Sequence, residues 1–325
     1  MTQQPLAIVI PAYKARFLDQ TLASVAAQTR RDFTAYVGDD ASPEGLGEIC
    51  ARWQGRFDLR YTRFATNLGR DDLAAQWQRC IALGREPWVW LFADDDLMPP
   101  DGVERLLAAI AAEGSRFDLF HFNVEQVDAE GRVRRAEAEF PPLLSAREFA
   151  RRRLAFELAS YAPDYAFSRA ALQRCGGFVP FPRAWCSDDA TWMLLAADSG
   201  IRTIAGAKVQ WRHSGENISS RHDADADAKT EAQLAFLAWL DRFLLAHPAR
   251  PGEPADDEVL RAARPWFFQQ AKTMDQRFPP ARARQVLAAF ARLRGASPVA
   301  AAASMAWLGL RSAVRRLQRR RSRTR

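Results

Sequence analysis

What this chain has little of narrows it first. Its 325 residues contain only four cysteines, Cys50, Cys80, Cys175 and Cys186, with no CxxC pair and no zinc-like spacing to histidine. Free thiols in a reducing compartment are the expectation. No apolar run reaches the roughly 20 residues that span a bilayer. The stretch VAAAASMAWLGL (299–310) stops at twelve. The opening MTQQPLAIVIPAY has neither a basic leader nor a small-residue cleavage site, so a cytoplasmic location is expected. A GxxxxGK[ST] loop is missing, which excludes a P-loop nucleoside triphosphatase. GLGEIC (45–50) lacks the third glycine of a dinucleotide fingerprint and does not follow the first strand.

What is present is the composition of a globular protein, 48% hydrophobic and 26% charged, with a formal net charge of +7. The positive sign first points to an anionic partner. Eight of the 46 cations, however, are arginines within residues 311–325, where there is no acid. The remaining chain holds 38 cations against 39 acids and is close to neutral. A nucleic-acid-binding protein would spread its cations over a folded face, so that class is set aside.

Through the first two hundred residues, short apolar runs alternate with helical periodicity. LAIVI (6–10), FTAYVG (33–38), LRYTRF (59–64), PWVWLFA (87–93) and FDLFHF (117–122) read as strands. Between them, Leu18, Leu22 and Val25, then Leu73, Trp77 and Ile81, then Val103, Leu106, Leu107 and Ile110 mark helix faces. This alternation predicts an α/β fold with a mostly parallel sheet, whose ligands bind beyond the carboxyl ends of the strands. Residues 226–298 show only helical patterning, broken at PARPGEPADD (248–257). The expected division is a domain over 1–225, a helical extension over 226–298 and a basic amphipathic tail over 299–325.

Acids stand at the places where such a fold binds ligands. Asp94, Asp95 and Asp96 directly follow a buried strand. Either one caps the next helix while the others are solvated, or a divalent cation relieves their repulsion, with Mg2+ or Mn2+ suited to hard oxygen ligands. Asp39 and Asp40 end the second strand, as a turn or as acceptors for a base or ribose. Asp188 and Asp189 open an apolar helix, stabilised by its dipole or serving as a general base. His213 follows Arg212 in WRHSGENIS.

In order and spacing these segments resemble the family 2 glycosyltransferases of the GT-A fold, collinearly over about residues 5–220. IVIPAYKARFLDQTLASVAAQT is similar to that family's first strand and helix, and VGDDASPEG to its VDDGSxD loop. NLGR, WLFADDDLMPP, GGFVPF with SDDATW, and WRHSGENIS resemble its later elements. The resemblance implies an inverting enzyme of cell-envelope polysaccharide synthesis, moving a sugar from a nucleoside-diphosphate sugar, UDP favoured, to a hydroxyl of a glycan or lipid-linked acceptor. It places Pro11, Tyr13, Asp40, Arg70 and Asp94 at the nucleotide. Asp94, Asp95, Asp96 and His213 fall at a Mg2+ or Mn2+ ion, Asp188 and Trp185 on the acceptor side, and Asp189 at the general base. Ala41 stands where the family usually has glycine, Lys14 for asparagine, Asp188 for glutamate, and Phe92 for the first aspartate of DxD.

Two rivals are a sugar-phosphate nucleotidyltransferase and a catalytically silent binding homologue. The first usually carries a glycine-rich loop after the first strand, and PAYKARF has no glycine. At the carboxyl end, Trp307, Leu310, Val314 and Leu317 share a helical stripe beside the arginines. The expectation is either an interfacial helix on the inner face of an anionic membrane, or a helix packed on the domain with a basic end.

Overall fold

The computed structural model describes residues 4–113, 116–215, 225–274, 276 and 278–323, with side chains up to residue 311. The first strand, β1 (Leu6–Ala12), is buried on both faces. Leu6, Ile8 and Ile10 join one hydrophobic core, whereas Ala7 and Val9 join the other. A continuous β-branched run is what a central parallel strand needs, because alternate side chains feed opposite faces.

Around it stand β2 (Phe33–Asp39), β3 (Leu59–Arg63), β4 (Trp88–Leu91) and β5 (Leu119–Val127). They are joined by β6 (Val133–Ala136), β7 (Leu143–Leu144), β8 (Tyr165–Ser168) and β9 (Ile201–Arg212). The order is β3-β2-β1-β4-β8-β5-β9-β7, with β6 paired to β5. The expected α/β architecture with a parallel sheet holds over β3, β2, β1 and β4, and again for β5 with β9. Between these blocks β8 runs antiparallel to both β4 and β5. The start of β8 therefore lies beside the carboxyl end of β4, while β8 pairs with β5 over Leu119–His121 only.

One face of the sheet is covered by α1 (Leu18–Ala26), α2 (Leu46–Trp53) and α4 (Gly102–Glu113). The other carries α3 (Leu73–Ile81), α5 (Ala146–Leu154), α6 (Arg169–Arg174) and α7 (Ser187–Leu195). The same core continues into α8 (Ala226–Ala246), α9 (Asp256–Arg261), α10 (Ala263–Thr273), α11 (Pro280–Arg292) and α12 (Pro298–Arg323). Phe236, Trp266, Phe267, Phe290 and Leu308 thus share one apolar cluster with sheet residues such as Val89 and Phe167. Buried Arg147 of α5 bolts the two parts together. It donates to the carbonyls of His247 and Pro254, both at 2.8 Å, and pairs with Asp256.

The turn after β2 explains a departure from the family pattern. Asp39 Oδ1 accepts from the Ser42 amide at 2.8 Å, and Ala41 within this turn has φ +54°. That left-handed backbone costs a residue with a Cβ about 1–2 kcal/mol, which glycine avoids. Glycine's extra freedom in the unfolded chain offsets part of the gain. Ala41→Gly should therefore raise unfolding stability by about 0.5–1 kcal/mol, read by chemical denaturation.

Candidate functional site

Because β1, β4, β5 and β9 point the same way and β8 the opposite way, their chemistry-bearing ends meet at one edge. There a cavity of about 460 Å3 is lined by Pro11, Lys14, Asp94 and Asp95 from the strand ends. Tyr161 and Trp211 add aromatic wall from the turn before β8 and the end of β9. Trp185, Asp188 and Asp189 complete it from the approach to α7, and Trp266 and Gln270 from α10.

The three aspartates after β4 part company. Asp94 Oδ2 accepts from the amides of Tyr13 at 2.8 Å and Lys14 at 3.0 Å, which ties the strand end to the loop after β1. Asp95 turns into the cavity, and burial together with the charge of Asp94 pushes its carboxyl up to about 7. Asp96 points the other way: its Oδ1 accepts from the Arg212 amide at 2.7 Å. Its Oδ2 is buried without a hydrogen bond, and burial followed by the Asp95 charge holds this acid well above the usual range. None of the three caps α4, which begins only at Gly102.

Arg212 is fully buried and organises this corner. Its Nε donates to the Asp95 carbonyl at 2.7 Å and its Nη1 to the carbonyls of Asp128 and Ala129, both at 3.0 Å. Nη2 reaches Gln20 Oε1 at 2.8 Å, and the guanidinium lies 4.5 Å from the Phe17 ring centre.

On the helix side, Cys186 ahead of α7 has φ +66°, and Arg183 and Ala184 are left-handed too. Strained backbone of this kind gathers at functional sites. It delivers Asp188 and Asp189 to the first turn of α7, where the helix dipole favours negative charge. Arg153 of α5 grips Asp189 with two bonds, Nε to Oδ1 at 3.0 Å and Nη2 to Oδ2 at 2.7 Å. Asp188 Oδ1 accepts from the Asp189 amide at 3.0 Å. Burial, then the neighbouring Asp189 charge, pushes Asp188 up to about 7.

The expected site residues therefore divide. Pro11, Asp94, Asp95, Trp185, Asp188 and Asp189 line the cavity. Tyr13 meets Asp94 through its amide while its side chain is exposed. Asp40 does not line the cavity; it anchors the NLGR loop by accepting from Leu68 and Gly69 amides at 2.7 and 2.8 Å and from Arg79 at 2.6 Å. A Cβ at Gly69 would stand 2.7 Å from Asp40 Oδ2, which is why that loop needs glycine. Arg70 is exposed, and its carbonyl accepts from Arg183. His213 is exposed just past β9, and Asp96 faces Arg212, so neither reaches the cavity lining. The rest of WRHSGENIS from residue 216 lies outside the described residues. Among the described residues no group of three or more His, Cys, Asp or Glu side chains gathers into a metal cluster.

The family model for glycosyl transferase family 2 matches residues 7–175, from β1 through α6. The chain is a family 2 glycosyltransferase. Such an enzyme transfers a sugar from a nucleotide sugar. Among solved structures, S. aureus TarS 1–349 in complex with UDP-GlcNAc is 16% identical, over 97% of this chain and 91% of that one, with a TM-score of 0.60. The mannosyltransferase PcManGT from Pyrobaculum calidifontis, in complex with GDP-Man and Mn2+, is 16% identical over 98% and 88%, with a TM-score of 0.55. These likenesses concern the GT-A fold. No curated protein matches the chain in sequence. In this glycosyltransferase the matched segment includes Asp94 and Asp95 but ends before Asp188 and Asp189.

Sequence patterning missed Arg153, which stands in the run Arg151-Arg152-Arg153. Arg151 and Arg152 pair with Glu148, and only Arg153 turns inward to Asp189. The raised value of Asp188 has a measurable consequence. Its folded carboxyl titrates near 7 against an ordinary 3.8, so the folded protein holds this proton more tightly than the unfolded chain does. Stability is then lost as pH rises from about 4 to about 7. Asp188→Asn should melt above the wild type at alkaline pH and converge with it near pH 4, followed by thermal denaturation across pH.

Proposed function

We propose that the cavity is the centre of an inverting transfer from a UDP-sugar to a hydroxyl of a glycan or lipid-linked acceptor. The observation that carries this reading is one cavity lined by two kinds of carboxylate: Asp94 and Asp95 from the strand end, and an Arg153-held Asp189 from the helix.

The strand-end pair fits a divalent cation. Two adjacent carboxylates face a common space, and burial raises both, because a low-dielectric site disfavours two neighbouring anions. Asp94 and Asp95 would hold Mg2+ or Mn2+, whose charge would offset that of the departing nucleoside diphosphate. The proposed metal set thus contracts from the expected four residues to two.

Asp189 is the proposed base. Its bidentate contact with Arg153 fixes the plane of the carboxylate that would accept a proton from the acceptor hydroxyl. Attack on the anomeric carbon from the face opposite the diphosphate inverts that centre. Trp77, Trp185, Trp211, Trp266 and Tyr161 give the cavity broad ring surfaces, suited to the apolar faces of sugars. Pro11 lines the nucleotide side, and the Asp40-anchored loop carrying Arg70 stands by for the base.

Two measurements test the assignment. Asp189→Asn should lower kcat by about a thousandfold while a donor-induced rise in melting temperature persists. Near-normal turnover by that variant removes Asp189 from the mechanism. Separately, UDP-sugars with Mn2+ should raise the melting temperature more than GDP-sugars, and EDTA or Asp95→Asn should erase the metal-dependent part. An undiminished metal response in Asp95→Asn overturns the metal assignment.

A further inference from the structure

The last described helix has two unlike faces. Ala301 and Leu308 are buried against α10 and α11 within the main core. The opposite face is exposed and wholly uncharged, with Val299 at 78%, Trp307 at 54% and Leu310 at 67% exposure and Ala302, Ala303 and Ala306 between them. No charged residue occurs between Arg294 and Arg311, and residues 311–325 then hold eight arginines and no acid. α12 thus packs on the body by one side, and it leaves an apolar strip exposed on the other. Val314 and Leu317, expected to prolong that strip, lie outside the residues with described side chains.

We propose that this exposed face of α12, with the arginines that continue it, docks on an anionic lipid surface. Large exposed apolar side chains with an adjoining block of one charge match the two layers of such a surface, acyl boundary and negative headgroups. Cations reinforce the strip on its flank. A groove beside Trp307 is lined by Arg264, Phe268, Lys272 and Ser304, and the Arg311 guanidinium lies 5.5 Å from the Trp307 ring centre. Among the described residues no helix is long and apolar enough to cross a membrane, so the contact is with the surface.

The position of this face gives it a use. Arg264, Phe268 and Lys272 of α10 flank the groove, while Trp266 and Gln270 of the same helix line the sugar-transfer cavity. Helix α10, about 10 Å thick, therefore lies between the groove beside Trp307 and the cavity. Docked this way, the enzyme meets an acceptor carried on a lipid, a substrate class that rests on the function proposed above.

Co-sedimentation of the full chain with phosphatidylcholine vesicles, with and without phosphatidylglycerol, tests the docking. Binding should require the anionic lipid, weaken as salt rises, and fall about tenfold in the double variant Trp307→Ser/Leu310→Ser. Failure of the wild type to bind anionic vesicles overturns the proposal, as does equal binding by the double variant, which would mean adsorption through arginine alone. Self-association of the wild type that the double variant abolishes, without vesicle binding, assigns the face to a second copy instead. The nucleotide-induced melting shift, read on the same preparations, reports the transfer site independently. Vesicle binding lost with that shift intact refutes docking alone.

Discussion

Three neighbouring carboxylates at the end of an apolar strand repel one another, and the fold meets that constraint with a buried cation. Arg212 reaches the corner from the far end of β9, 117 residues after Asp95. Its guanidinium donates to the carbonyls of Asp95, Asp128 and Ala129 and to Gln20, while its amide donates to Asp96. Burial alone would favour losing its proton, and the nearby aspartates oppose that. The outcome is directional. Asp96 is drawn into the wall, and Asp94 and Asp95 are left at the cavity. Helix α1, the end of β4 and the β5–β6 turn all take their relative positions from this one side chain.

The same edge owes its second wall to the reversal of β8. A purely parallel sheet would present only strand ends there. Inserting one antiparallel strand brings a strand start to the edge, and with it the Tyr161–Pro163 turn that lines the cavity. Helix α7 then supplies acids at its amino end, so two kinds of carboxylate with different surroundings face one space. Asp189 is held by the half-buried Arg153, whereas Asp188 is left to burial and its neighbour's charge. Environment separates two adjacent residues of the same type, as chemistry that needs distinct acid roles requires.

The carboxyl-terminal helices join the same argument. Their apolar faces merge with the core on one side of the sheet, and Arg147 closes the seam with backbone carbonyls. Helix α10 is therefore both a wall of the cavity and the support of α12. A net charge of +7 describes the end of the chain, whereas the cavity is governed by acids.

Local physics made much of this legible without coordinates. The β-branched run of β1, the apolar strand ending in Asp94–Asp96 and the acid-led apolar helix α7 are patterns over a few residues, set by periodicity and helix polarity. Their collinear order was enough to identify the family and the sheet. Between FDLFHF and GGFVPF the sequence carried no such signal, because β6 and β7 are short and β8 is a four-residue strand placed by its neighbours. Which acid does what was decided only by tertiary structure. Asp40 spans 28 and 39 residues to its loop and to Arg79, Asp96 meets an amide 116 residues away, and Arg153 differs from Arg151 and Arg152 only in the direction it faces. The sequence by itself determined where carboxylates gather. Long-range packing, which chooses each one's partner and burial, determined which of them remain open to a substrate.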